Sequence, residues 1–242
     1  MQEHFDIELR TLVAGVDNPA ILVGVSGGMD SMCMANLFLN TTVPCTYRIA
    51  HVNFSLRGSE SDQDEAMVRE WCRKHGIPFY TTKVNALEFA QEQSISTQMA
   101  ARDLRYGWFF SLMEEHSMDF LAISHNLNDS VETLMINLLR GTGLRGLAGI
   151  RRSNGPIIRP LLSVTRNDIS KYVASHNVPF REDHTNRESH YHRNRIRNEV
   201  FPHFEIINPS FLQTISTSMG RFSEISDLLE ELYNSRKGTL YR

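Results

Sequence analysis

The sequence predicts an α/β fold in which a parallel sheet is followed by a small, mostly helical region. Short apolar runs bounded by turn residues alternate with stretches of helical periodicity, which is the pattern of strand–helix–strand units. A composition of 41% hydrophobic and 22% charged residues is that of an ordinary globular protein. A length of 242 residues allows one or two domains with a core of their own.

The elements follow one another in a regular order. An amphipathic helix over residues 4–16 comes first and is ended by Asn18-Pro19. Predicted strands and helices then alternate, the strands at 20–25, 46–52, 77–84 and 119–124 and the helices at about 30–40, 60–75, 96–116 and 128–139. After Arg140 we predict a hairpin through SNGP, then helices near 165–176, 191–200 and 210–235. We assign residues 1–150 to the sheet domain, which extends to about 200 if the following segment is included, and 201–242 to a helical extension.

The net charge of −3 hides an uneven distribution along the chain. Residues 1–139 carry 9 Lys+Arg against 18 Asp+Glu, whereas residues 140–202 carry 12 against 5, and 11 of those 12 cations are arginine. Guanidinium groups are preferred partners of phosphate and of stacked bases. The segment 140–202, called the basic block below, is therefore either a nucleic-acid contact or an ordinary solvated face.

Several classes of protein are excluded by composition. No stretch approaches 18 consecutive apolar residues and the acidic N-terminus lacks a signal-peptide pattern, so we expect a cytoplasmic protein with no membrane partner. Cys33, Cys45 and Cys72 are widely spaced and offer neither a disulfide framework nor a CxxC pair. Thiol chemistry is therefore not expected.

The first motif, VSGGMDS at residues 25–31, joins a predicted buried strand to a predicted helix. Backbone N–H groups at a helix N-terminus attract an anion. We therefore predict a phosphate cradle made by Ser26, Gly27, Gly28, Met29, Asp30 and Ser31. The loop has neither the lysine of a P-loop nor the spacing of a GxGxxG turn. Its carboxylate and hydroxyls suit a magnesium-bound pyrophosphate better than transfer of a γ-phosphoryl group, and a tight turn with an Asp N-cap is the alternative.

The second motif begins where the strand 119–124 ends, at the edge of the sheet where such folds place ligands. Helical spacing predicts that His125, Asp129 and Glu132 share one face. Carboxylates in that arrangement can hold magnesium, and an imidazole can act as a base. A structural histidine is the alternative for His125 taken alone.

These motifs resemble those of known families. SGGxDS resembles the signature of the PP-loop ATP pyrophosphatases, which bind ATP and cleave between its α- and β-phosphates. HxxxDxxET followed by RGTGLRGLxG, at residues 125–149, resembles the tRNA(Ile)-lysidine synthase family more specifically. Other segments that resemble this family are HVNFSLRG, AARDLRYGWF, RPLL, REDHTN and YHRNRIRNEVFP, so the likeness runs from about residue 20 to 204.

The sequence departs from the family pattern at two places. Phe54 and Ser55 replace the His-Gly that is usual after the second strand, so any role of that histidine is absent or moves to His51. Thr185 stands where Ser is common and keeps the hydroxyl. Many family members also carry C-terminal domains that grip tRNA, and we read residues 201–242 as a linker toward such domains in a catalytic fragment, or as the end of a short form.

The resemblance implies an adenine nucleotide α-hydrolase-like, Rossmann-like domain that adenylates a cytidine of tRNA(Ile) and then joins lysine to it. It implies ATP and magnesium as cofactors, and tRNA(Ile) with a CAU anticodon and free lysine as partners, and it leaves a homodimer open. Asp30 and Asp129 would hold magnesium, and His51 would lie in the ATP site. His125 or Glu132 would deprotonate lysine, and we favour His125.

Arginines take the remaining predicted roles. Arg102 and Arg105 lie one turn apart on a predicted helix and would clamp a phosphate or stabilise the adenylate, with a solvated pair as the alternative. Contacts with tRNA are predicted for Arg140, Arg145, Arg193, Arg195 and Arg197. One of the last three is expected to face inward, toward Asp183 or Asn186.

Two other functions fit part of the sequence. A PP-loop tRNA thiolase would share the glycine loop, and the lack of CxxC pairs counts against it. A non-catalytic RNA-binding domain would keep the loop and the basic block but would not need His125, Asp129 and Glu132.

Overall fold

A computed structural model of the chain describes residues 1–181 and 192–240. The chain divides into two compact units. The first unit comprises Met1–His125, Arg152–Leu161 and Arg166–Glu182, and the second comprises Asn126–Arg151, Leu162–Thr165 and Asp183–Arg242. The functional division that we predicted, with boundaries near 150 and 200, remains a prediction.

The first unit is built on a six-stranded sheet. Its strands are β1 (Ala20–Gly24), β2 (Thr46–Asn53), β3 (Phe79–Lys83), β4 (Phe120–Ala122), β5 (Ser153–Asn154) and β6 (Ile157–Ile158). The strand order is β3-β2-β1-β4-β6-β5, and only the β5–β6 pair is antiparallel. The predicted parallel sheet and the hairpin through SNGP are both confirmed.

Helices precede and follow the strands along the chain, and they make up most of the second unit. They are α1 (Gln2–Leu12), α2 (Met29–Leu39), α3 (Ser59–His75), α4 (Ala86–Glu92), α5 (Thr97–Glu115), α6 (Leu127–Arg140), α7 (Leu144–Leu147), α8 (Arg166–Ser175), α9 (His192–Arg195), α10 (Phe201–Ile207) and α11 (Phe211–Leu240). A π-helical turn, Ile196–Val200, joins α9 to α10. Throughout the described part of the chain, no helix has both the length and the apolar composition that a membrane crossing requires.

Burial explains why these segments form the first unit. β1 is an apolar run whose three central residues are buried, as expected for a strand with parallel neighbours on both sides. α5 contributes Phe109, Leu112 and Met113 to the core cluster that contains Leu22 of β1. Ser96 caps α5, because its side chain accepts a hydrogen bond from the Met99 amide. The predicted helix 4–16 is shorter than expected and ends at Leu12.

The second unit has a separate apolar core. Leu127, Val131 and Leu134, at helical spacing on α6, form a cluster with four further residues, which are Ile196, Phe201, Phe211 and Met219. Gly149 lies against this core with a φ of +68°, and a Cβ there would come within 2.2 Å of the Met219 side chain. The second unit therefore has a core that α6 shares with the helices after residue 192.

Candidate active site

The glycine loop lies between β1 and α2, and glycine is needed there for conformational reasons. Gly27 has a φ of +91°, in the left-handed region that favours glycine. The Ser31 hydroxyl donates a hydrogen bond to the Gly28 carbonyl at 2.9 Å and accepts one from the Ser26 amide at 3.1 Å. These bonds hold the loop in one tight conformation at the carboxyl end of β1.

The N-terminus of α2 has no side-chain cap. Its N-cap residue is Gly28, and no side chain caps it. The first N–H groups of a helix have no partner within the helix, so they can bind an anion. The alternative of an Asp N-cap is wrong, because Asp30 lies inside the first turn. Binding of a phosphate group by this loop remains a prediction.

An ion-pair network supports this loop from the side of α3. The Gly27 carbonyl accepts a hydrogen bond from the Arg181 amide at 3.0 Å. The Arg181 and Arg57 guanidinium groups each donate to the Asp64 carboxylate at 2.6 Å. The sequence had assigned no role to Arg57, Asp64 or Arg181. Arg57 and Arg181 lie in the motifs HVNFSLRG and REDHTN. Local spacing could not pair Arg181 with Asp64, because these two residues are 117 positions apart.

His51 is buried at the end of β2, beside the residue that follows β1. Its Nδ1 lies 2.9 Å from the Val25 carbonyl, which can only accept, so Nδ1 carries a proton. Burial lowers the pKa of His51, and the ring is therefore neutral at pH 7. Its contact with ATP remains a prediction.

Arg102 and Arg105 both lie against the Tyr106 ring. Their guanidinium carbons are 4.8 and 5.4 Å from the ring centroid. Burial lowers the pKa of Arg105, and the charge of Arg102 acts in the same direction. Within residues 1–181 and 192–240, Arg105 Nε has no hydrogen-bond partner. A fully solvated arginine pair therefore does not describe Arg105, whereas Arg102 is exposed.

Arg159 is a further residue to which the sequence assigned no role, although it lies in the motif RPLL. It directly follows β6 and is only 6% exposed. Its Nε donates a hydrogen bond to His125 Nδ1 at 3.1 Å. Burial, together with the charge of Arg102, lowers the pKa of Arg159. Arg159 thus brings a cation into direct contact with the predicted base.

The prediction that His125 lies on one helical face with Asp129 and Glu132 is wrong. α6 begins at Leu127, and Asn126 is its N-cap, so His125 precedes the helix. The Asn126 side chain accepts a hydrogen bond from the Asp129 amide, and the Asp129 side chain accepts one from the Asn126 amide. This capping box starts the helix after His125 and leaves only the two carboxylates on a common face.

Arg197 pairs with both of these carboxylates. Its Nε donates to Glu132 Oε1 at 2.7 Å, and its Nη2 lies 3.4 Å from Asp129 Oδ1. Glu132 is 0% exposed, and burial raises its pKa against the opposing effect of Arg197. Among the described residues, Glu132 Oε2 has no hydrogen-bond partner. Arg197 is therefore the inward-facing arginine, and its predicted partners Asp183 and Asn186 lie outside the described residues.

The other arginines predicted to contact tRNA are exposed, and three of them also have partners in the second unit. Arg193 donates to the Thr133 hydroxyl and Arg195 to Glu199. Arg145 forms an ion pair with Glu230 of α11. Arg140 lies in the last turn of α6. Their contact with tRNA remains a prediction.

The binding of magnesium by Asp30 and by Asp129 remains a prediction. In the described ranges, no three His, Cys, Asp or Glu side chains form a cluster able to hold a metal ion. Mg²⁺ does not need one, since it is usually held by one or two carboxylates together with phosphate oxygens and water. Asp30 lies beside the cradle in the first turn of α2. Both Asp129 oxygens already accept hydrogen bonds from Asn126 or Arg197.

The three cysteines have environments that disfavour the thiolate. Burial raises the pKa of Cys33 and of Cys72 to about 12 and also raises that of Cys45. All three are free thiols. Because the thiolate is the reactive form, this agrees with the expectation that the protein does no thiol chemistry.

Comparison with known proteins connects this site to one family. Residues 1–204 match the model of the PP-loop domain family. A tRNA(Ile)-lysidine synthase of Bacteroides thetaiotaomicron is 40% identical over 217 residues, which are 90% of this chain and 50% of that protein. The enzyme of the same name from Chlorobaculum tepidum is 41% identical over 224 residues, covering 92% and 66%. This chain thus spans between half and two thirds of the length of these two relatives.

A solved structure shows the same fold. The U34-tRNA thiolase NcsA from Methanococcus maripaludis superposes with a TM-score of 0.73 at 20% identity, over 92% of this chain and 78% of that one. At that identity the likeness concerns the fold alone.

Proposed function

We propose that this chain, which belongs to the PP-loop domain family, binds ATP and ligates lysine to C2 of the wobble cytidine in the CAU anticodon of tRNA(Ile). The products would be lysidine, AMP and pyrophosphate. The name shared by relatives at 40% and 41% identity supports the choice of acceptor. We also propose a cytoplasmic location, and we leave the homodimer as a prediction.

One structural observation carries the proposal, the uncapped N-terminus of α2 at the end of β1. No side chain caps the first turn of the helix, and the left-handed Gly27 turns the chain into it. A lysine for the γ-phosphate, as in a P-loop, does not follow the loop in the sequence. These features favour binding of the pyrophosphate that leaves when ATP is cut at the α-phosphate.

The first chemical step would form the adenylate. The cytidine O2 attacks the α-phosphorus, a new P–O bond forms, and the bond to the bridging oxygen of pyrophosphate breaks. Negative charge grows on the pyrophosphate, which would lie at the uncapped N-terminus of α2, where donors are fixed in advance. Asp30 would hold magnesium, which when bound neutralises part of that charge. Arg102 and Arg105 would bind a phosphate oxygen, as their position against Tyr106 permits.

The second step would join lysine to the cytosine base. The lysine ε-amine attacks C2, the C2–O bond breaks, and AMP leaves with the former O2. The amine must lose a proton before it can attack, because lysine is protonated in water. The resemblance offers His125 and Glu132 for that role, and of the two Glu132 has a carboxylate oxygen without a hydrogen-bond partner among the described residues. Asp129 is proposed to contribute to the magnesium site. Contacts with tRNA are proposed for the exposed arginines Arg140, Arg145, Arg193 and Arg195.

A PP-loop tRNA thiolase is not favoured. That reaction needs reactive sulfur, and burial holds the thiols of Cys33 and Cys72 in their protonated form. A binding domain without catalysis would not require the carboxylate of Asp30 beside the cradle.

The decisive experiment incubates the chain with ATP, magnesium, lysine and unmodified tRNA(Ile). We expect AMP and pyrophosphate, and a tRNA whose mass increases by one lysine less one water. Omission of lysine and replacement of the wobble cytidine by uridine are the controls. Formation of ADP as the main product would contradict the assignment, since it requires attack at the γ-phosphate.

A further inference from the structure

We propose that Arg159 fixes His125 as a neutral imidazole with its proton on Nε2, so that His125 presents an N–H donor to an anionic oxygen and not a lone pair to an amine. Arg159 is in this view a positioning residue. The assignment of the anionic oxygen to a phosphate group rests on the proposed function. The state of the ring does not.

The hydrogen bond between the two residues determines the tautomer. A guanidinium nitrogen can only donate, so the His125 Nδ1 that receives the Arg159 Nε–H at 3.1 Å must offer its lone pair. In a neutral imidazole with a lone pair on Nδ1, the remaining proton lies on Nε2. His51 shows the opposite case in the same unit, because its Nδ1 lies against a carbonyl.

The hydrogen bond from Arg159 requires the neutral ring and not the imidazolium. An imidazolium carries protons on both nitrogens, so it would face Arg159 Nε–H with an N–H of its own. Arg159 is buried, and Arg102 is close enough for its charge to act on Arg159. A second positive charge on His125 would therefore be disfavoured by like-charge repulsion.

The chemical consequence is that His125 is poorly suited to be the base. A general base needs a free lone pair directed at the proton it removes. Here the Nδ1 lone pair is occupied and Nε2 is protonated. The ring can instead donate to an oxygen that carries charge, such as a phosphate oxygen of the nucleotide or of the RNA backbone. This differs from the role that the sequence resemblance led us to favour.

The direct test is the ¹⁵N spectrum of the histidine rings in the labelled chain without substrates. Long-range ¹H–¹⁵N correlations distinguish a protonated from an unprotonated ring nitrogen, and His125→Gln and His51→Gln identify the two residues by loss of signals. We expect the proton of His125 on Nε2 and that of His51 on Nδ1 at neutral pH. A His125 protonated on Nδ1, or on both nitrogens, would overturn the proposal.

Variants of Arg159 separate its hydrogen bond from its charge. Arg159→Gln keeps an N–H donor and should keep the Nε2–H tautomer, whereas Arg159→Leu should give a mixture of tautomers. Arg102→Leu removes a nearby charge and should leave the tautomer unchanged. An unaltered His125 spectrum in a folded Arg159→Leu would also refute the role. If Arg159→Leu does not fold, as judged by its circular dichroism, the wild-type and Arg159→Gln spectra still decide.

Activity provides the functional test. The side-chain amide of Gln can donate close to the position of Nε2–H but cannot act as a base. We expect His125→Ala to lower the rate of AMP formation by about 10²-fold, the cost typical of removing a donor to a developing negative charge, and His125→Gln to recover most of it. Equal losses in both variants, with adenylated tRNA accumulating, would show a base and overturn the donor role. If wild type forms neither adenylate nor lysidine, the proposed function fails, and the spectra decide the tautomer alone.

Discussion

Two helices of this chain, α2 and α6, follow strands of the sheet in sequence. They differ in whether a side chain accepts hydrogen bonds from their first backbone N–H groups. α2 starts with Gly28, and no side chain caps it. α6 starts with Asn126, which exchanges two hydrogen bonds with Asp129 in a capping box. The first turn of α2 has no side-chain cap, whereas that of α6 is capped by the residues of the chain itself.

The difference shows how carboxylates near a helix start can have unlike roles. Asp30 lies in the first turn of a helix that no side chain caps, where we propose that an anion and a metal ion bind. Asp129 and Glu132 lie at a terminus where Arg197 and the capping box already hold them. We therefore expect substitutions at α2 to affect turnover first, and substitutions at α6 to affect stability first.

The largest expected effect on stability is that of Arg197→Ala. It would leave the fully buried Glu132 carboxylate without its cation, and breaking a buried pair costs about 3–5 kcal/mol. Arg195→Ala is the matched control, since its partner Glu199 is exposed and such pairs contribute about 0–1 kcal/mol. Urea unfolding of both variants measures the difference. Equal, small losses would show that Arg197 does not stabilise α6.

The next effect concerns turnover and separates the two aspartates. Asp30→Asn should lower AMP formation by about 10²-fold, if its carboxylate holds magnesium against the leaving pyrophosphate, a magnitude borrowed from removal of oxyanion donors. The assignment of Asp129 to magnesium predicts the same for Asp129→Asn. The structure adds a loss of about 1–2 kcal/mol in the free energy of unfolding, because the Asp129 carboxylate serves the cap and the Arg197 pair.

Rates and unfolding curves of the two variants together test this contrast. A rate loss in Asp129→Asn as large as in Asp30→Asn, with unchanged stability, would return Asp129 to the magnesium site. A near-wild-type rate in Asp30→Asn would remove Asp30 from that site.

Local patterns predicted the architecture well because strands and helices have short periods. β1 to β4 and the helices after them were expected within a few residues, and so was the hairpin that became β5 and β6. α4 was not expected, since it is a single short helix without a clear apolar face. The start of α6 was expected within one residue, but His125 was wrongly counted on its face although Asn126 and Asp129 stand three apart, a spacing that indicates a cap.

Contacts between distant residues could not be read from spacing. Glu132 and Arg197 are 65 positions apart, and His125 and Arg159 are 34 apart. Each of these residues lay inside a motif that the sequence offered. Only the fold shows that Arg197 is the counter-charge of Glu132. Only the fold shows, too, that Arg159 donates to His125, on which the position of the His125 proton depends.

A smaller effect is the pH dependence that Glu132 gives to stability. Burial raises the pKa of this carboxyl above the ordinary value of 4.5. A raised pKa means that the folded state binds the proton more tightly, so this contribution is complete below about pH 4.5 and is lost as pH rises through the higher folded pKa. Glu132→Gln should remove this dependence. The free energy of unfolding of wild type relative to Glu132→Gln, measured from pH 4 to pH 8, should fall with rising pH, and a constant difference would contradict the raised pKa.

The smallest effect is expected at the basic block, where ion pairs within the second unit compete with RNA. Four phosphate contacts, by Arg140, Arg145, Arg193 and Arg195, would give tRNA binding a log–log salt slope of about −3, at roughly −0.7 per phosphate of single-stranded RNA. Glu230 holds Arg145 in an ion pair, so Glu230→Gln should steepen the slope by at most about 0.7. Glu224→Gln, at an exposed glutamate of the same helix, makes the same change in net charge and should leave the slope unchanged.

Affinities measured from low to physiological salt for these variants, and for alanine at each arginine, distinguish the two interpretations of the basic block. Each arginine that contacts a phosphate should flatten the slope when it is replaced, whereas affinity for ATP should stay constant. Arg145→Ala should in addition lower turnover beyond its share of binding if that side chain lies at the flipped cytosine. Unchanged slopes combined with lower melting temperatures would mean that these arginines stabilise the fold through their pairs with Glu230, Glu199 and Thr133. The basic block would then be a solvated face.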